Sequence, residues 1–249
     1  MALNDALIYT LLALFFPIFP LSMVVSYLLQ KYYRIKSLIF VLFPSTGLLL
    51  YSISNAPSFP KPFLWLGLLS SLLYALRSLY PGSLSRWSVY HFLSLIPLLW
   101  LFLLRAEVNI LLVASLSLPF LILSILDRFL IDRFGSSHLK LLTGLGWTSP
   151  RLSLLIALSL LLSAGMPMGT VFFYFLTSSF LSGFWELMVL SFLWFLWGWS
   201  AMRLLSSLLW GDRNGNLLYE DLDAKSFYFV LSLTLITGAL GVIFLEVML

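Results

Sequence analysis

The sequence contains no cysteine and very little charge. The absence of cysteine excludes disulfides, thiolate metal sites and cysteine nucleophiles. Charged residues make up 10% of the 249 residues and apolar residues 61%, whereas a soluble domain carries about 25% charge. So few charges cannot cover the surface of a water-soluble protein of this size. The composition therefore excludes a soluble enzyme and indicates a protein whose solvent is lipid.

Motifs for nucleotide, metal and nucleic-acid binding are missing as well. There is no Walker loop, no dinucleotide fingerprint and no cluster of His, Asp and Glu at metal-ligand spacing. Gly144 and Gly146 follow no predicted strand, so they do not form a nucleotide loop. The formal net charge is +4, but the bases lie between apolar segments, as loop charges of membrane proteins do. We therefore expect no cofactor in this chain and no nucleic-acid partner.

Long apolar runs fill most of the chain. A spanning helix needs about 20 largely apolar residues, and only helices or closed barrels satisfy their backbone in lipid. The runs are continuously apolar rather than alternating, which favours helices over a barrel. We predict an all-α polytopic membrane protein, with residues 1–249 as one transmembrane domain. The predicted spans are nine, or eight if one of the shorter ones is re-entrant: 6–29, 37–54, 63–79, 87–104, 109–130, 152–166, 168–181, 184–209 and 226–249.

The stretch 152–181 is the most informative of these runs. It is too long for one span and short for two. Gly165, Pro167 and Gly169 lie near its middle, and a proline removes a backbone donor and breaks a helix. Broken helices at membrane depth often mark ion or substrate paths. A plain tight turn between two short helices explains the same pattern, so both interpretations stay open.

Ionisable residues inside the predicted spans are scarce. Because such groups are costly in lipid, each is a functional candidate by default. Lys36 lies just inside the second helix, His91 in the first turn of the fourth and Glu186 in the first turn of the eighth. We take these three as proton-path candidates, although none sits at a span centre. The alternatives are a Lys36 that reaches the interface, an interfacial His91 and a Glu186 that complements the helix dipole.

Basic residues and tryptophans indicate how the helices meet the membrane surfaces. The loops after the first, third and fifth spans hold most of the bases, so we expect them to face the cytoplasm or the mitochondrial matrix. A cluster of tryptophans lies in and just after the eighth span: Trp194, Trp197, Trp199 and Trp210. Such a cluster is typical of cofactor stacking or of interface anchors, and we favour anchors.

Four segments resemble the antiporter-like subunits of respiratory complex I, NADH:ubiquinone oxidoreductase. Residues 127–150 contain an acid–Arg pair, a Gly-Leu turn and a proline, in the order in which that family ends one helix and opens the next. Residues 165–172 resemble the Gly-x-Pro break of the following helix, with a phenylalanine five residues after the proline. Residues 34–39 are similar to the family's Asp/Asn-x-Lys-Arg-Leu-Ile helix start, and 221–241 to the loop and last helix of chain 4. The break resembles chain 2 at least as well, and the order of the segments fits the C-terminal half of such a subunit.

The chain departs from the family at the positions that exchange protons. Phe175 stands where the family carries a relay Lys or Glu in its broken helix, and Arg34 replaces the acid of the helix start. The half that carries the family's relay glutamate is absent, so Lys36 alone is carried over residue for residue. A phenyl ring cannot exchange a proton. The resemblance therefore implies a mainly structural segment, or the C-terminal part of a split subunit whose companion chain supplies the missing groups.

The resemblance implies a subunit of the complex I membrane arm, in contact with other membrane-arm subunits and lipids. The whole complex would couple NADH oxidation and ubiquinone reduction to proton translocation, while this chain would hold no catalytic site, flavin or iron–sulfur cluster. We expect the mitochondrial inner membrane, with the bacterial cytoplasmic membrane as the alternative. Two other hypotheses remain: a subunit of a multisubunit cation/proton antiporter or membrane-bound hydrogenase, and an independent transporter. The lack of a clear repeat and of polar residues at the midplane counts against the transporter.

Overall fold

Helices are the regular elements of the described chain. The computed structural model describes residues 2–54, 61–105, 110–167, 169–210 and 221–248. Two 3₁₀ turns, Tyr33–Ile35 and Ile96–Leu98, lead into longer helices. The predicted span start at 109 and most of the predicted loops 55–62 and 211–225 lie outside the described residues. The α-helices are α1 Ala2–Phe15, α2 Leu21–Lys31, α3 Lys36–Ser54, α4 Lys61–Ser78, α5 Leu84–Leu95, α6 Leu99–Arg105, α7 Ile110–Phe134, α8 Leu145–Thr148, α9 Pro150–Ser163, α10 Thr170–Leu181, α11 Phe184–Trp210 and α12 Ala224–Met248.

Five helical segments are long and apolar enough to cross a membrane. They are Lys36–Ile53, Leu84–Leu104, Ile110–Phe134, Phe184–Trp210 and Ala224–Phe244. The segment Leu84–Leu104, formed by α5 and α6, is 89% buried inside the bundle, whereas the segments in α3 and α12 are 22% and 28% buried. The α5–α6 crossing therefore lies at the centre, and the outer helices turn apolar faces outwards. The prediction of an all-α polytopic membrane protein is confirmed.

The first predicted span, residues 6–29, is not one continuous helix. It consists of α1 and α2, which are separated at residues 16–20, where Pro17 and Pro20 lie. The predicted break near 165–170 is present, between α9 and α10. The fourth predicted span is also divided, by the 3₁₀ turn around Pro97. If α1–α2, α5–α6 and α9–α10 each cross once, the described helices make eight crossings, the lower of the predicted counts.

The acid–Arg pair at residues 127–128 resembles a helix end of the complex I family, but here it lies inside α7, which continues past the predicted end of the span at residue 130. Helix α7 continues through Asp127 and Arg128 and ends at Phe134. The reason is tertiary, because Asp127 is 2% exposed and paired with a lysine from another helix. An ionised side chain with a buried partner can remain inside a helix that composition alone would end.

Hydrogen bonds and ring contacts hold four bases at one end of the bundle. Lys36, at the start of α3, bonds to the start of α5 and to α7 near its end. Arg133, at the end of α7, and Arg151, at the start of α9, both bond to the segment just before α12. Arg203 of α11 lies over the ring of Tyr80, after α4. We call this the basic end, and we expect it to face the cytoplasm or matrix.

One continuous apolar core runs through the bundle, and each of the twelve helices contributes to it. Its largest fully buried members include three tryptophans, Trp87, Trp100 and Trp197. The predicted interface role was therefore wrong for Trp197, which is fully buried, whereas Trp210 is 72% exposed at the end of α11. Packing of large rings leaves little space for water between the central helices.

Candidate functional site

Lys36 forms a buried ion pair at the basic end. Its side chain is 1% exposed, and Nζ lies 2.7 Å from Oδ2 of Asp127. The ammonium also donates to the hydroxyl oxygens of Ser85, at 3.0 Å, and Ser88, at 3.3 Å. Three acceptors match the three protons of an ammonium group. The alternative of a lysine that reaches out to the interface is therefore wrong.

Asp127 is a site residue that the search for mid-span charges overlooked. It lies on α7, and its Oδ2 accepts from Lys36, while Oδ1 has no hydrogen-bond partner among the described residues. A buried carboxylate without its lysine would be an uncompensated charge in lipid surroundings. Its place beside Arg128 in the family-like segment was visible in the sequence, but its pairing with a lysine 91 residues away was not.

His91 lies deeper in the bundle, on α5, one turn beyond Ser88. Its ring is fully buried, so the alternative of an interfacial histidine is wrong. Nε2 lies 2.7 Å from the carbonyl oxygen of Ser163, at the end of α9. A carbonyl only accepts, so Nε2 carries the proton and donates. The ring stacks on Trp87, with centroids 4.6 Å apart, and Nδ1 has no partner among the described residues.

The interruption between α9 and α10 requires both of its glycines. Gly165 has a φ of +79°, in the left-handed region that favours glycine. At Gly169 a Cβ atom would lie 2.8 Å from the carbonyl oxygen of Leu162, which is too close for any larger residue. Pro167 has no N–H, so the Ser163 carbonyl, four residues earlier, loses its helical partner. His91 replaces that partner.

A second side chain closes the same interruption. The amide of Gly169 bonds to the Met166 carbonyl, which leaves the Gly165 carbonyl without its helical partner. The indole Nε1 of Trp194, on α11, donates to that carbonyl at 2.9 Å. The ring of Phe175 stacks on Trp194 with centroids 5.4 Å apart and planes 17° apart. Phe175 is the residue that the family resemblance aligns with a relay Lys or Glu, and at this position the structure has two stacked aromatic rings.

Other prolines show the same arrangement. Pro20 frees the carbonyl of Phe16, and the indole of Trp100, on α6, donates to it at 3.0 Å. Pro119 frees the carbonyl of Ser115 inside α7, and the hydroxyl of Thr170 donates to it at 2.8 Å. We call His91, Trp100, Thr170 and Trp194 the capping side chains. Each one satisfies a buried carbonyl that would otherwise need water.

Glu186 stays apart from the other two proton-path candidates. It lies in the first turn of α11, at the end of the bundle opposite to Lys36. Its carboxylate accepts from the amide of Gly183, at the start of its own helix. This contact is that of a helix cap, in which the acid also complements the helix dipole. Lys36 and His91, by contrast, are linked through α5, because Ser88 and His91 lie one turn apart on one face.

An open cavity of about 1060 Å³ adjoins the interruption between α9 and α10. Its walls include Gly165, Pro167, Phe175, Trp194 and Gly198, and they are almost entirely apolar. None of the described residues that line it is ionisable. The described residues also contain no group of three or more His, Asp or Glu side chains that could hold a metal ion. The interruption thus opens onto an apolar surface, and no ionisable side chain leads away from it there.

Comparison with known proteins gives structural matches. No family model matches the sequence. No curated protein sequence matches it either. A chain of the membrane-bound sulfane sulfur reductase MBS, an archaeal respiratory membrane complex, superposes with a TM-score of 0.80 at 16% identity over 96% of this chain. Chains of respiratory complex I from Thermus thermophilus superpose with TM-scores of 0.70 and 0.63, at 18% and 16% identity, over 93% and 82% of this chain.

The matched chains are about twice as long as this one. This chain spans 52% of the archaeal chain and 52% and 49% of the two Thermus chains. Identities this low establish the fold. The resemblance to antiporter-like subunits of complex I, which rested on four short segments, is therefore confirmed at the level of the fold. This chain has the fold of about half of a membrane subunit from complex I and a related respiratory complex.

Proposed function

We propose that this chain is a membrane-arm subunit of a complex I-type respiratory complex and that its role there is mainly structural. The stack of Phe175 on Trp194 supports the proposal, because the resemblance aligns Phe175 with the family's ionisable relay and neither stacked ring can exchange a proton. The capping side chains support it, since they satisfy the carbonyls that would otherwise attract water at the helix interruptions. The chain would hold neighbouring subunits and lipids in place, while proton transfer occurs on other chains.

The buried pair of Lys36 and Asp127 fits the same role. The ammonium is fully bonded to one carboxylate and two hydroxyls. A proton carrier must exchange partners, whereas a lysine held by three acceptors joins α3, α5 and α7. We therefore assign the pair to helix packing. Residues that correspond to the other half of the matched chains, on a companion chain, would provide relay groups of their own.

The archaeal match supports a second candidate, a subunit of a respiratory complex related to complex I but different from it. Its TM-score of 0.80 exceeds those of the complex I chains, at 0.70 and 0.63. The two candidates differ in the enzyme with which the chain assembles. The chain should therefore be found in different bands when the intact complexes are separated on a native gel. The mitochondrial inner membrane remains our predicted location for the first candidate, with a bacterial membrane as the alternative.

Native electrophoresis tests the proposed assembly. Membranes are extracted gently, separated on a native gel and stained for NADH dehydrogenase activity, and each band is searched for this chain by mass spectrometry. We expect the chain in the NADH-active band of the complete complex. Recovery in a large band without NADH activity would support the second candidate. Recovery as a free chain, with the NADH-active band lacking it, would contradict both.

Proton pumping tests the structural role. The double variant Lys36→Met with Asp127→Leu removes both charges together, so that neither is left buried alone. We expect the assembled complex to pump protons at the wild-type ratio to NADH oxidised, measured with a pH-sensitive dye in sealed vesicles. Loss of pumping in a complex that assembles normally would contradict the structural role and would identify the pair as part of a proton path.

A further inference from the structure

A second cavity, of about 750 Å³, lies at the basic end between the turn after α4, the loop after α7 and the last turns of α11. Its polar and charged walls come from all three segments: Tyr80, His138, Lys140, Thr143, Arg203 and Ser207. None of the described residues that line it is acidic. The cavity therefore has a positive charge that this part of the chain does not neutralise.

Arg203 is the central basic group of this cavity. Its guanidinium lies over the ring of Tyr80, 4.2 Å from the centroid. Stacking on an aromatic ring fixes the plane of the guanidinium and leaves its edge, which carries the N–H donors, free to bind a ligand. In the part of the chain that the structure describes, those donors have no hydrogen-bond or ion-pair partner. Phosphate oxygens are the ligands that such a planar set of donors binds best.

The loop that carries Lys140 is fixed to the turn after α4. Ser83 and His138 form an isolated antiparallel bridge, with the Leu84 amide donating to the Ser137 carbonyl at 3.1 Å. The Leu139 amide donates to the Gly82 carbonyl at 3.2 Å, and Nδ1 of His138 donates to the same oxygen at 3.2 Å. Lys140 follows directly, on backbone that is already held. The basic walls of the cavity are therefore positioned before a ligand arrives.

Exposed aromatic residues place this cavity at the level of lipid headgroups. Tyr80 is 75% exposed, Trp147 of α8 is 71% exposed and Trp210 is 72% exposed. Helix α8 packs against the end of α11, because a Cβ on Gly146 would lie 3.1 Å from the Leu209 carbonyl. Tyrosine and tryptophan gather where the bilayer meets water. The apolar walls, among them Leu79, Leu141 and Leu204, suit the part of a lipid just below its phosphate.

We propose that this cavity binds the headgroup of an anionic phospholipid. The fork of Arg203 and the ammonium of Lys140 bind the phosphate, the hydroxyls of Thr143 and Ser207 lie in the same walls, and the leucines contact the start of the acyl chains. Basic pockets between helices on the cytoplasmic or matrix side bind anionic headgroups in this way. The site joins α4, α7 and α11, so a bound lipid links three helices. This inference rests on the membrane fold and not on the respiratory assignment.

Retention of phosphatidylglycerol tests the site. The full-length chain is reconstituted into phosphatidylcholine vesicles that contain a minor fraction of phosphatidylglycerol, extracted again in mild detergent and purified. Mass spectrometry then gives the amount of phosphatidylglycerol per chain. We expect the double variant Arg203→Gln with Lys140→Gln to retain roughly thirtyfold less than wild type, since each of the two bases near the surface contributes about 1 kcal/mol and about 1.4 kcal/mol is a factor of ten. Equal retention by this variant and wild type would overturn the proposal.

The matched control is Arg77→Gln with Lys31→Gln, which removes the same charge from the same end. Arg77 also lies over a tyrosine, 5.5 Å from the Tyr74 centroid, but neither base lines this cavity. We expect the control to retain phosphatidylglycerol as wild type does. Equal loss in both double variants would show a general charge effect and overturn a specific site. The single variant Lys140→Glu, in an exposed loop, gives the same expected loss if the Arg203 variant does not fold.

A free anion is distinguished from a lipid by calorimetry. Wild type in pure phosphatidylcholine nanodiscs is titrated with inorganic phosphate. We expect no saturable heat at millimolar phosphate, because a free ion gains nothing from the apolar walls. Saturable binding that the Arg203→Gln and Lys140→Gln variant loses would overturn the assignment to a lipid and indicate a site for soluble anions.

Discussion

At the scale of single residues, the buried pair of Lys36 and Asp127 dominates the basic end. Both side chains are almost completely buried, so the attraction between their charges has to offset a large desolvation cost. The two hydroxyls that surround the ammonium reduce that cost, because they replace water as acceptors. The stability of the pair therefore depends on both charges being present together.

We expect the single variant Lys36→Met to lower the free energy of unfolding by about 3 kcal/mol, because it leaves the Asp127 carboxylate unpaired. Adding Asp127→Leu should restore most of that loss, since an apolar pair of similar volume is often as stable as the ions. Thermal unfolding in detergent, followed by circular dichroism, measures both. Lys31→Met, at an exposed lysine, is the control and should change stability by less than about 0.5 kcal/mol. A double variant no more stable than the single one would contradict this account.

The sequence identified Lys36 as a candidate but did not predict its ion pair with Asp127. A lysine inside an apolar run is visible in the sequence, and so is its match to the family's helix start. Its partner was not visible, because α3 and α7 are far apart in the chain and meet through packing alone. The partner of His91 was not visible for the same reason, since the carbonyl that it binds belongs to α9. Pairs that form across the bundle lie beyond any pattern of local spacing.

At the scale of helices, prolines act differently according to their neighbours. Pro44 and Pro119 lie inside helices that continue past them. Pro17 with Pro20, and Pro167 between two glycines, separate helices instead. One missing N–H can be tolerated within a helix, whereas a second proline, or a glycine in the left-handed region such as Gly165, takes the backbone out of helical geometry. The glycines beside Pro167 predicted the second interruption, whereas the apolar run through Pro17 and Pro20 led to the prediction of one continuous span.

Each of the two interruptions takes one cap from the central α5–α6 crossing, Trp100 at the first and His91 at the second. Trp100→Phe removes the donor to the Phe16 carbonyl and leaves that oxygen buried without a partner. We expect a loss of about 1–3 kcal/mol in the free energy of unfolding. Trp199→Phe is the matched control, because Trp199 is 58% exposed, and it should be nearly neutral. Equal thermal stability of the two variants in detergent would show that the cap at Phe16 contributes nothing.

The close packing around Gly169, at the interruption between α9 and α10, predicts that a larger residue there destabilises the fold. Gly169→Ala would place its methyl group 2.8 Å from the Leu162 carbonyl oxygen, so we expect a loss of roughly 2 kcal/mol or more. Gly198→Ala, inside α11, meets nothing within 4 Å and should gain up to about 1 kcal/mol from helix propensity. Thermal unfolding of the two variants side by side measures the difference. If the two alanine variants have the same thermal stability, the close approach of the Leu162 carbonyl is not the reason for glycine at position 169.

At the scale of the whole molecule, this chain superposes on about half the length of each matched respiratory subunit. The composition predicted the membrane and the helices, because lipid permits little else. The segments that resemble complex I predicted the fold family. The arrangement of the helices around α5–α6 was not predictable, since it follows from which apolar faces fit together.

The orientation of the chain in the membrane can be tested by thiol labelling, because the sequence has no native cysteine that would react. Lys140→Cys places a single thiol at the basic end, and Lys61→Cys places one at the start of α4, at the opposite end. We expect a membrane-impermeant maleimide to label Cys at 140 only from the cytoplasmic or matrix side, and Cys at 61 only from the other side. Vesicles of defined orientation provide the measurement. Labelling of both thiols from one side would contradict an odd number of crossings between them.

The capping side chains have an electrical consequence. A protein in an energy-coupling membrane must insulate against a voltage, and each elementary charge that crosses 100 mV releases about 2.3 kcal/mol. An uncovered carbonyl inside the bilayer would hold a water molecule, and a few such waters in line would let protons leak. Side chains from neighbouring helices cover these oxygens instead. In the proposed respiratory assembly, a structural subunit would thus still help to maintain the membrane voltage, and loss of a capping side chain would lower the coupling of the complex.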